Sequence, residues 1–138
     1  MTIKVGIAGA RGLSSLQGFK NILDTEVVAL CDLDGEYVQA AADKHGIPRT
    51  YRIFEDMLES DIDAAVISTP MQLHVPQAIQ AMHAGKHVMS EVTAAVTMDE
   101  LWWLKEMRAD SEWVGSPDKK KALCRSIRKE CFRWVYEK

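Results

Sequence analysis

Long apolar runs, paired cysteines and an excess of positive charge are all absent from this sequence. No apolar run approaches the roughly 20 residues that a membrane-spanning helix needs, so we expect no membrane partner. The three cysteines, Cys31, Cys124 and Cys131, form no C-x-x-C pair and are odd in number. They therefore argue against a disulfide scaffold and a zinc site, and favour a reducing compartment. Cys31 sits inside an apolar run and is expected to be a small core residue. Because no signal peptide precedes the first apolar run, we expect a cytoplasmic protein. From the cysteine spacing we expect no resident metal.

The charge is distributed unevenly along the chain. Residues 1–116 hold 9 basic and 17 acidic residues, whereas residues 117–138 hold 8 basic and 3 acidic ones. The acidic body argues against nucleic acid as a partner. The basic segment has apolar residues at helical spacing, and Ser116 and Pro117 are typical of a helix start. Three interpretations stay open for it: a helix docked on the sheet edge, a helix for a partner or a membrane surface, or non-native coding after a truncation or frameshift.

Apolar runs alternate with helical patterns through the rest of the chain. The predicted strands are Ile3 to Ala8, Val27 to Cys31, Tyr51 to Phe54, Ala64 to Ser68 and His87 to Ser90. The predicted helices are Ser14 to Leu23, Gly35 to His45, Glu55 to Glu59, Val75 to His83 and Thr97 to Arg108. The last of these starts with a predicted capping box, Thr97-Met98-Asp99-Glu100. This alternation predicts an α/β fold, a Rossmann-type doubly wound parallel sheet in a single domain over residues 1–109. Residues 110–138 are predicted to form an atypical helical tail.

A glycine-bearing turn follows the first predicted strand. It reads Gly9, Ala10, Arg11, Gly12, Leu13 and Ser14. Glycine lets the backbone approach a pyrophosphate closely, and the amides that open the next helix bind anions. Against the G-x-G-x-x-G pattern, Arg11 occupies the second glycine position and Ser14 the third. The turn is predicted to be a nucleotide phosphate loop, and the alternative is an ordinary strand-to-helix turn.

An acidic residue, Asp32, ends the second predicted strand, twenty residues after Gly12. A carboxylate at this position accepts hydrogen bonds from both ribose hydroxyls and repels a 2′-phosphate. Asp32 therefore favours NAD over NADP, and Asp34 is close enough to share the role. The alternative is a solvated turn, since Asp-Leu-Asp-Gly is good turn sequence.

Polar residues also follow the fourth and fifth predicted strands. Ser68, Thr69, Pro70 and His74 come after the fourth, and Glu91 comes after the fifth. In an open parallel sheet, ligands bind outside these carboxyl ends. We expect these residues beside a bound cofactor. The alternatives are that His74 only satisfies local backbone groups and that Glu91 is a surface acid.

Four motifs together resemble a known family. They are V-V-A-L-C-D at 27–32, S-T-P-x-x-x-H at 68–74, A-x-x-A-x-H-A-G-K-H-V at 78–88 and S-E at 90–91. With the glycine turn, they are similar to the N-terminal NAD(P)-binding domain of the glucose–fructose oxidoreductase / inositol dehydrogenase / MocA family. The resemblance covers residues 3 to about 104. It implies hydride transfer between a nicotinamide and a sugar, polyol or related carbonyl substrate.

The resemblance also implies a role for each matching position. Gly9 and Ser14 would lie at the pyrophosphate and Asp32 at the adenosine ribose. Thr69, Pro70 and His74 would lie beside the cofactor, and Glu91 near the nicotinamide ribose. In the family, a C-terminal α/β domain normally supplies the substrate pocket and the oligomer interface.

Three departures from the family qualify this implication. The family usually carries Glu-Lys-Pro after the fifth strand, with the lysine close to the reacting carbon, and here Val92 replaces that lysine. Arg11 is expected to crowd the pyrophosphate unless Gly12 takes over. The chain is expected to be truncated before the substrate domain.

We therefore carry three functional hypotheses. The first is the cofactor-binding part of an oxidoreductase that is inactive alone. The second is a non-catalytic nucleotide-binding or regulatory module, and the third is an interaction protein acting through the basic helix. Self-association is also expected, because an unpaired sheet edge and three tryptophans, Trp102, Trp103 and Trp113, invite it.

Overall fold

The structure is a computed structural model that describes residues 2–110, with side chains through Met107. Its strands are β1 Ile3–Ala8, β2 Thr25–Cys31, β3 Arg49–Tyr51, β4 Ala64–Ile67 and β5 His87–Ser90. Its α-helices are α1 Leu16–Lys20, α2 Gly35–His45, α3 Phe54–Glu59, α4 His74–His83 and α5 Met98–Asp110. All strand pairs are parallel, and the sheet order is β3-β2-β1-β4-β5. The predicted Rossmann-type sheet is confirmed.

Apolar side chains fill both faces of the sheet. On one face, β1 and β2 pack against α1 and α2, with Val5, Ile7 and Phe19 in the buried cluster. On the other face, Met57 of α3 and Ala78 of α4 pack against the sheet. Parallel strands covered on both sides read as continuous apolar runs, and this is why the sequence revealed them so clearly. The doubly wound arrangement follows from these two clusters.

The first crossover differs from its prediction. The sequence predicted one helix from Ser14 to Leu23, whereas the chain forms a 3-10 helix over Ala10–Ser15 and then the short α1. Glycine at position 18 weakens the helix, and Asp24 adopts a left-handed φ of 62° just before β2. Leu23 is consequently 92% exposed instead of buried with the helix face.

The third strand also differs from its prediction. It covers Arg49–Tyr51, and Phe54 opens α3 instead of closing the strand. Phe54 is buried on the α3 side of the sheet. Aromatic residues favour strands, which is why the sequence predicted a strand here. Phe54 is instead buried against the sheet from the first turn of a helix.

Polar contacts fix the amino-terminal edge of the sheet, opposite the edge where the predicted site residues lie. Asp61 pairs with Lys4 and Arg49. Lys86 donates from Nζ to the backbone oxygens of Ser60 and Ile62, at 2.9 Å each. The lysine of the A-G-K-H-V motif therefore anchors the loop before β4 and has no part in the candidate site.

The predicted capping box at the start of α5 is confirmed. The N–H of Glu100 donates to Thr97 Oγ1 at 3.2 Å, and the Thr97 N–H donates to Glu100 Oε2 at 3.1 Å. Within residues 2–110, none of the helices has the length and apolar content needed to cross a bilayer. The predicted basic helix of residues 117–138 and Trp113 lie outside the described residues. The predicted domain boundary at 109–110 falls at their limit.

Candidate functional site

The turn after β1 approaches β4 so closely that only glycine fits at its first position. Gly9 has a φ of +95°, and a Cβ there would lie 2.4 Å from the carbonyl oxygen of Ser68. Its N–H donates to the carbonyl oxygen of Cys31 at 2.8 Å. The turn is thus held between the tips of β2 and β4. Glycine in a strand-to-helix turn allows close approach of the backbone to a pyrophosphate, so this turn is the candidate cradle.

Gly12 takes the position where the turn packs on the sheet. A Cβ at Gly12 would lie 2.3 Å from Ile7 Cγ2 and 3.0 Å from Ser68 Oγ. Its N–H donates to the carbonyl oxygen of Gly9 at 3.0 Å. Gly12 therefore does the work of the third glycine of the dinucleotide fingerprint, which allows close helix–strand packing.

The side chains of Ala10, Arg11 and Ser14 lie on the solvent side of this turn. All three residues are exposed. The Ser14 hydroxyl donates to the carbonyl oxygen of Arg11 at 2.9 Å and so stabilises the turn itself. Arg11 does not fill the space beneath the turn, because Gly12 is the residue buried there.

A small cleft lies between the glycine turn, the end of β2 and α2. Its lining residues are Ile7, Gly9, Ala10, Leu13, Leu30, Cys31, Asp32, Tyr37, Val38 and Ala41. Half-buried Asp32 lies at the mouth, where its Oδ1 accepts from the Asp34 N–H at 3.1 Å. Asp34 instead caps α2, since its Oδ1 accepts from the Tyr37 N–H at 3.0 Å. Asp32 is thus the acid at the cleft, and Asp34 has a capping role.

Several cleft residues were missed by sequence reasoning. Leu13, Tyr37 and Ala41 form apolar walls of the cleft. The spacing of Tyr37 and Ala41 at i and i+4, one turn after the Asp34 cap, was the available signal. Arg52 was also missed: its Nη2 donates to the carbonyl oxygen of Leu33 at 3.3 Å, and its stem lies over Gly35. No sequence pattern connected Arg52 with the loop that follows Asp32.

Cys31 borders the cleft, but its side chain packs in the buried cluster on the α3 side of the sheet and is not a reactive group. Burial raises its pKa to about 12, with the nearby carboxylates of Asp32, Glu55 and Asp56 adding to the effect. The thiolate is the nucleophilic form of cysteine, and it is suppressed here. The expectation that Cys31 is a small core residue is confirmed by its 6% exposure.

Ser68 and Thr69 occupy the tip of β4 next to the glycine turn. The Ser68 Oγ is buried and has no hydrogen-bond partner among the residues that the structure describes. Thr69 Oγ1 donates to Gln77 Oε1 at 2.6 Å. Pro70 is exposed and precedes the short 3-10 turn Met71–Leu73. This tip therefore presents backbone and small polar groups beside the turn.

His74 is buried beneath the tips of β4 and β5 with only 1% of its surface exposed. Its Nε2 lies 2.7 Å from the carbonyl oxygen of Thr69, and its Nδ1 lies 2.7 Å from the carbonyl oxygen of Thr93. Both ring nitrogens are therefore occupied by the protein. The contact with Thr69 matches the alternative offered by the sequence, in which His74 satisfies local backbone groups, whereas Thr93 lies nineteen residues away and was not anticipated. A direct cofactor contact by His74 stays a prediction.

Glu91 closes the row of strand tips. Its N–H donates to the carbonyl oxygen of Ile67 at 2.9 Å, which holds it beside the tip of β4. The residue is half-buried, whereas the following Val92 is 86% exposed. The structure thus gathers the predicted residues along one edge of the sheet, from Asp32 at β2 to Glu91 at β5. Their individual contacts with a cofactor stay predictions.

These features fit a dinucleotide. The cradle excludes side chains at Gly9 and Gly12, an acid lies at the mouth of the adjoining cleft, and a buried hydroxyl at Ser68 lacks a partner beneath the turn. After β3 at one side of the sheet, the chain crosses to β4, which lies on the other side of β1 from β2. The order of the strands therefore switches between β1 and β4, next to the glycine turn. Open α/β sheets bind their ligands at this point.

Comparison with known proteins gives consistent results. A glycosyl hydrolase family 109 protein from Saccharopolyspora erythraea is 38% identical over 115 residues, covering 75% of this chain and 25% of the relative. The scyllo-inositol dehydrogenase from Lactobacillus casei, solved with NAD(H) and scyllo-inositol, superposes with a TM-score of 0.72 at 26% identity. The superposition covers 80% of this chain and 34% of the dehydrogenase chain.

The WlbA dehydrogenase from Bordetella pertussis, solved with NADH and UDP-GlcNAcA, superposes with a TM-score of 0.71 at 30% identity, covering 80% of this chain and 35% of its own. This chain spans about a quarter of the length of the curated relative and about a third of these solved chains. A family model described as "Oxidoreductase family, NAD-binding Rossmann fold" (GFO_IDH_MocA) matches residues 3–114. The chain therefore belongs to the GFO_IDH_MocA oxidoreductase family, and the matched region is its NAD-binding Rossmann domain.

Proposed function

We propose that this chain is the cofactor-binding part of an NAD-dependent oxidoreductase that transfers hydride to or from a sugar, a polyol or a related carbonyl compound. The solved relatives support this substrate class, since one is bound to scyllo-inositol and another to UDP-GlcNAcA. Most of each relative has no counterpart in this chain, so we propose that residues 2–110 bind the cofactor without turnover of their own.

The observation that carries the proposal is the row of glycine, acid and hydroxyl groups along the carboxyl edge. The backbone of the Gly9–Gly12 turn would lie against the pyrophosphate. Asp32 would accept hydrogen bonds from the adenosine ribose hydroxyls, while the tips at Thr69 and Glu91 would flank the nicotinamide half. Bound NAD supplies the ring carbon that takes up or releases the hydride. The protein groups would orient the dinucleotide along the ends of the strands.

The cofactor preference follows from Asp32. A 2′-phosphate would bring a second negative charge against this carboxylate, at a point where the neighbouring Asp34 is also acidic. Arg52 is the basic group at this loop, and its Nη2 is engaged with the carbonyl oxygen of Leu33. We therefore propose that NAD is preferred to NADP.

A titration of the chain with NADH and, separately, NADPH tests the proposal. Quenching of tryptophan emission reports binding. We expect NADH to bind more tightly than NADPH, and Asp32→Ala to weaken NADH by about tenfold, the effect of one charge-assisted hydrogen bond. Asp99→Ala is the matched control, because Asp99 is an exposed acid in the first turn of α5. Absence of NADH binding, or equal affinity of the Asp32 and Asp99 variants, would refute the proposed site.

Two observations favour a second candidate, an NAD-containing glycosyl hydrolase. The relative from Saccharopolyspora erythraea is named a glycosyl hydrolase family 109 protein, and Val92 occupies the position where the family usually has a lysine. Valine cannot move a proton, and general acid–base help accelerates reactions by about 10²–10⁴-fold. Incubation with nitrophenyl glycosides, with and without NAD, separates the candidates. NAD-dependent release of nitrophenol would establish the second one and overturn the claim that the chain has no turnover.

The two other hypotheses and the expected self-association also remain proposals. A regulatory module is supported by Val92 and would bind NADH without any turnover. The interaction hypothesis concerns residues 117–138, outside the described part of the chain. Self-association is supported by exposed Trp102 and Trp103, at 52% and 54%, and by β5 at the edge of the described sheet. Sedimentation of the chain at several concentrations tests it.

A further inference from the structure

His74 joins two loops that are distant in sequence. Its ring lies between the carbonyl oxygen of Thr69, in the loop after β4, and that of Thr93, in the loop after β5. Each nitrogen-to-oxygen distance is 2.7 Å, and the residue is 1% exposed. Contacts this short hold the backbone of both loops against the buried ring.

The chemistry of the ring explains why histidine suits this position. A neutral imidazole carries one N–H and donates to one of the two carbonyl oxygens, whereas the doubly protonated ring donates to both. A ring of this size also spans the gap between the two chain segments rigidly. An aliphatic or aromatic hydrocarbon side chain would offer no donor to either oxygen.

The loop of residues 91–97 has few other connections to the body of the domain. At its start, the Glu91 N–H donates to Ile67 O. At its end, Val96 and Thr97 donate to Glu100 of the following helix. Among the described hydrogen bonds, residues 92–95 reach the rest of the domain through Thr93 alone, by way of His74 and a 3.5 Å contact of its hydroxyl with Met71 Sδ. His74 therefore makes the main contact that holds the middle of this loop to the rest of the domain.

We propose that His74 is a positioning residue that sets the tips of β4 and β5 for the nicotinamide half of the dinucleotide. This inference rests on the proposed function. Asp32 at the tip of β2 would receive the adenosine, and β1 separates β2 from β4 in the sheet. The other end of an extended dinucleotide then reaches the β4 and β5 tips. Loss of the two His74 contacts would lower the affinity for the nicotinamide half and leave the affinity for the adenosine half unaffected.

The test compares NADH with ADP, which carries only the adenosine half. The variants are His74→Phe, which keeps a ring without donors, and His74→Gln, which keeps a donor. His83→Gln is the matched control, because His83 is exposed at the other end of the same helix. We expect NADH binding to weaken about tenfold in the Phe variant and less in the Gln variant, with ADP binding within about twofold of wild type. Unchanged NADH binding, or equal losses for NADH and ADP, would overturn the proposal.

Hydrogen exchange measured by mass spectrometry keeps the test informative if a variant folds poorly or if no ligand binds. In the ligand-free His74→Gln variant, amides of residues 91–97 should exchange faster than in wild type, while those of β1 and β2 stay unchanged. Unchanged exchange in this loop would show that His74 does not restrain residues 91–97. If wild type binds neither NADH nor ADP, the proposed function fails, and the exchange result alone decides whether His74 restrains the loop.

Discussion

The packing of the turn after β1 makes Gly12→Ala the most informative single substitution. A methyl group at Gly12 would lie 2.3 Å from Ile7 Cγ2 and 3.0 Å from Ser68 Oγ. Ile7 is 1% exposed, and its Cγ2 branches directly from Cβ, so no rotation of a flexible chain end relieves the contact. The turn must therefore move away from the sheet, or Ile7 must shift into the buried cluster.

The expected loss of stability follows from this geometry. Inserting a methyl group into a packed interior typically costs about 1–3 kcal/mol, and the short contact with Ile7 places Gly12→Ala in the upper half of that range. For a domain of this size, each kcal/mol lowers Tm by about 4 °C. We therefore expect Tm to fall by about 10 °C. NADH affinity should fall as well, because the turn that cradles the pyrophosphate is displaced.

Gly18→Ala is the matched control within the same crossover. No atom lies within 4 Å of a Cβ at Gly18, and its backbone is helical. Alanine there should raise stability by about 0.5–1 kcal/mol, since glycine weakens helices. Thermal unfolding followed by circular dichroism measures both variants. A Gly12→Ala protein as stable as wild type would refute the packing argument, and so would equal destabilisation by the two substitutions.

Three further predictions concern the rest of the domain. Hydrogen bonds from Lys4 and then Arg49 lower the pKa of Asp61 from 3.8 to about 2, so its contribution to stability is present above the ordinary carboxyl pKa and is lost as pH falls towards 2. Asp61→Asn should therefore have a slightly lower Tm than wild type at pH 7, and this difference should close between about pH 4 and pH 2; a constant gap would contradict the pairing. Cys31, with its pKa raised to about 12 by burial, should resist iodoacetamide at pH 8 in the folded protein and react after unfolding, as peptide mass spectrometry would report. Thr97→Ala should lower the free energy of unfolding by about 1 kcal/mol through loss of the cap on α5, and chemical denaturation with an unchanged midpoint would argue against that cap.

The sheet was predictable because its strands are buried on both faces. The runs that became β1, β2 and β4 are apolar without alternation, and a glycine in a left-handed conformation ends α2 at Gly46. Such patterns depend on local sequence and burial alone. The capping box before α5 is likewise a local pattern and was found in the sequence.

The parts that depend on distant contacts were not predictable. Gly12 reads as one residue late in the glycine motif, and only the proximity of Ile7 and Ser68 shows that it occupies the packing position. His74 reads as an ordinary helix-start residue, because its second carbonyl partner, on Thr93, lies nineteen residues further along the chain. Arg52 reaches the loop after Asp32 by tertiary folding, without any pattern that links the two in sequence.

The central claim is that a nicotinamide dinucleotide binds along the carboxyl edge of this sheet. Backbone amide chemical shifts recorded during addition of NAD test it most directly, and a chain of 138 residues is well suited to the measurement. The account predicts the largest changes at Gly9, Gly12 and Asp32, with residues of the opposite edge, such as Asp61 and Lys86, unchanged. Changes centred on that opposite edge, or none at millimolar NAD, would contradict it.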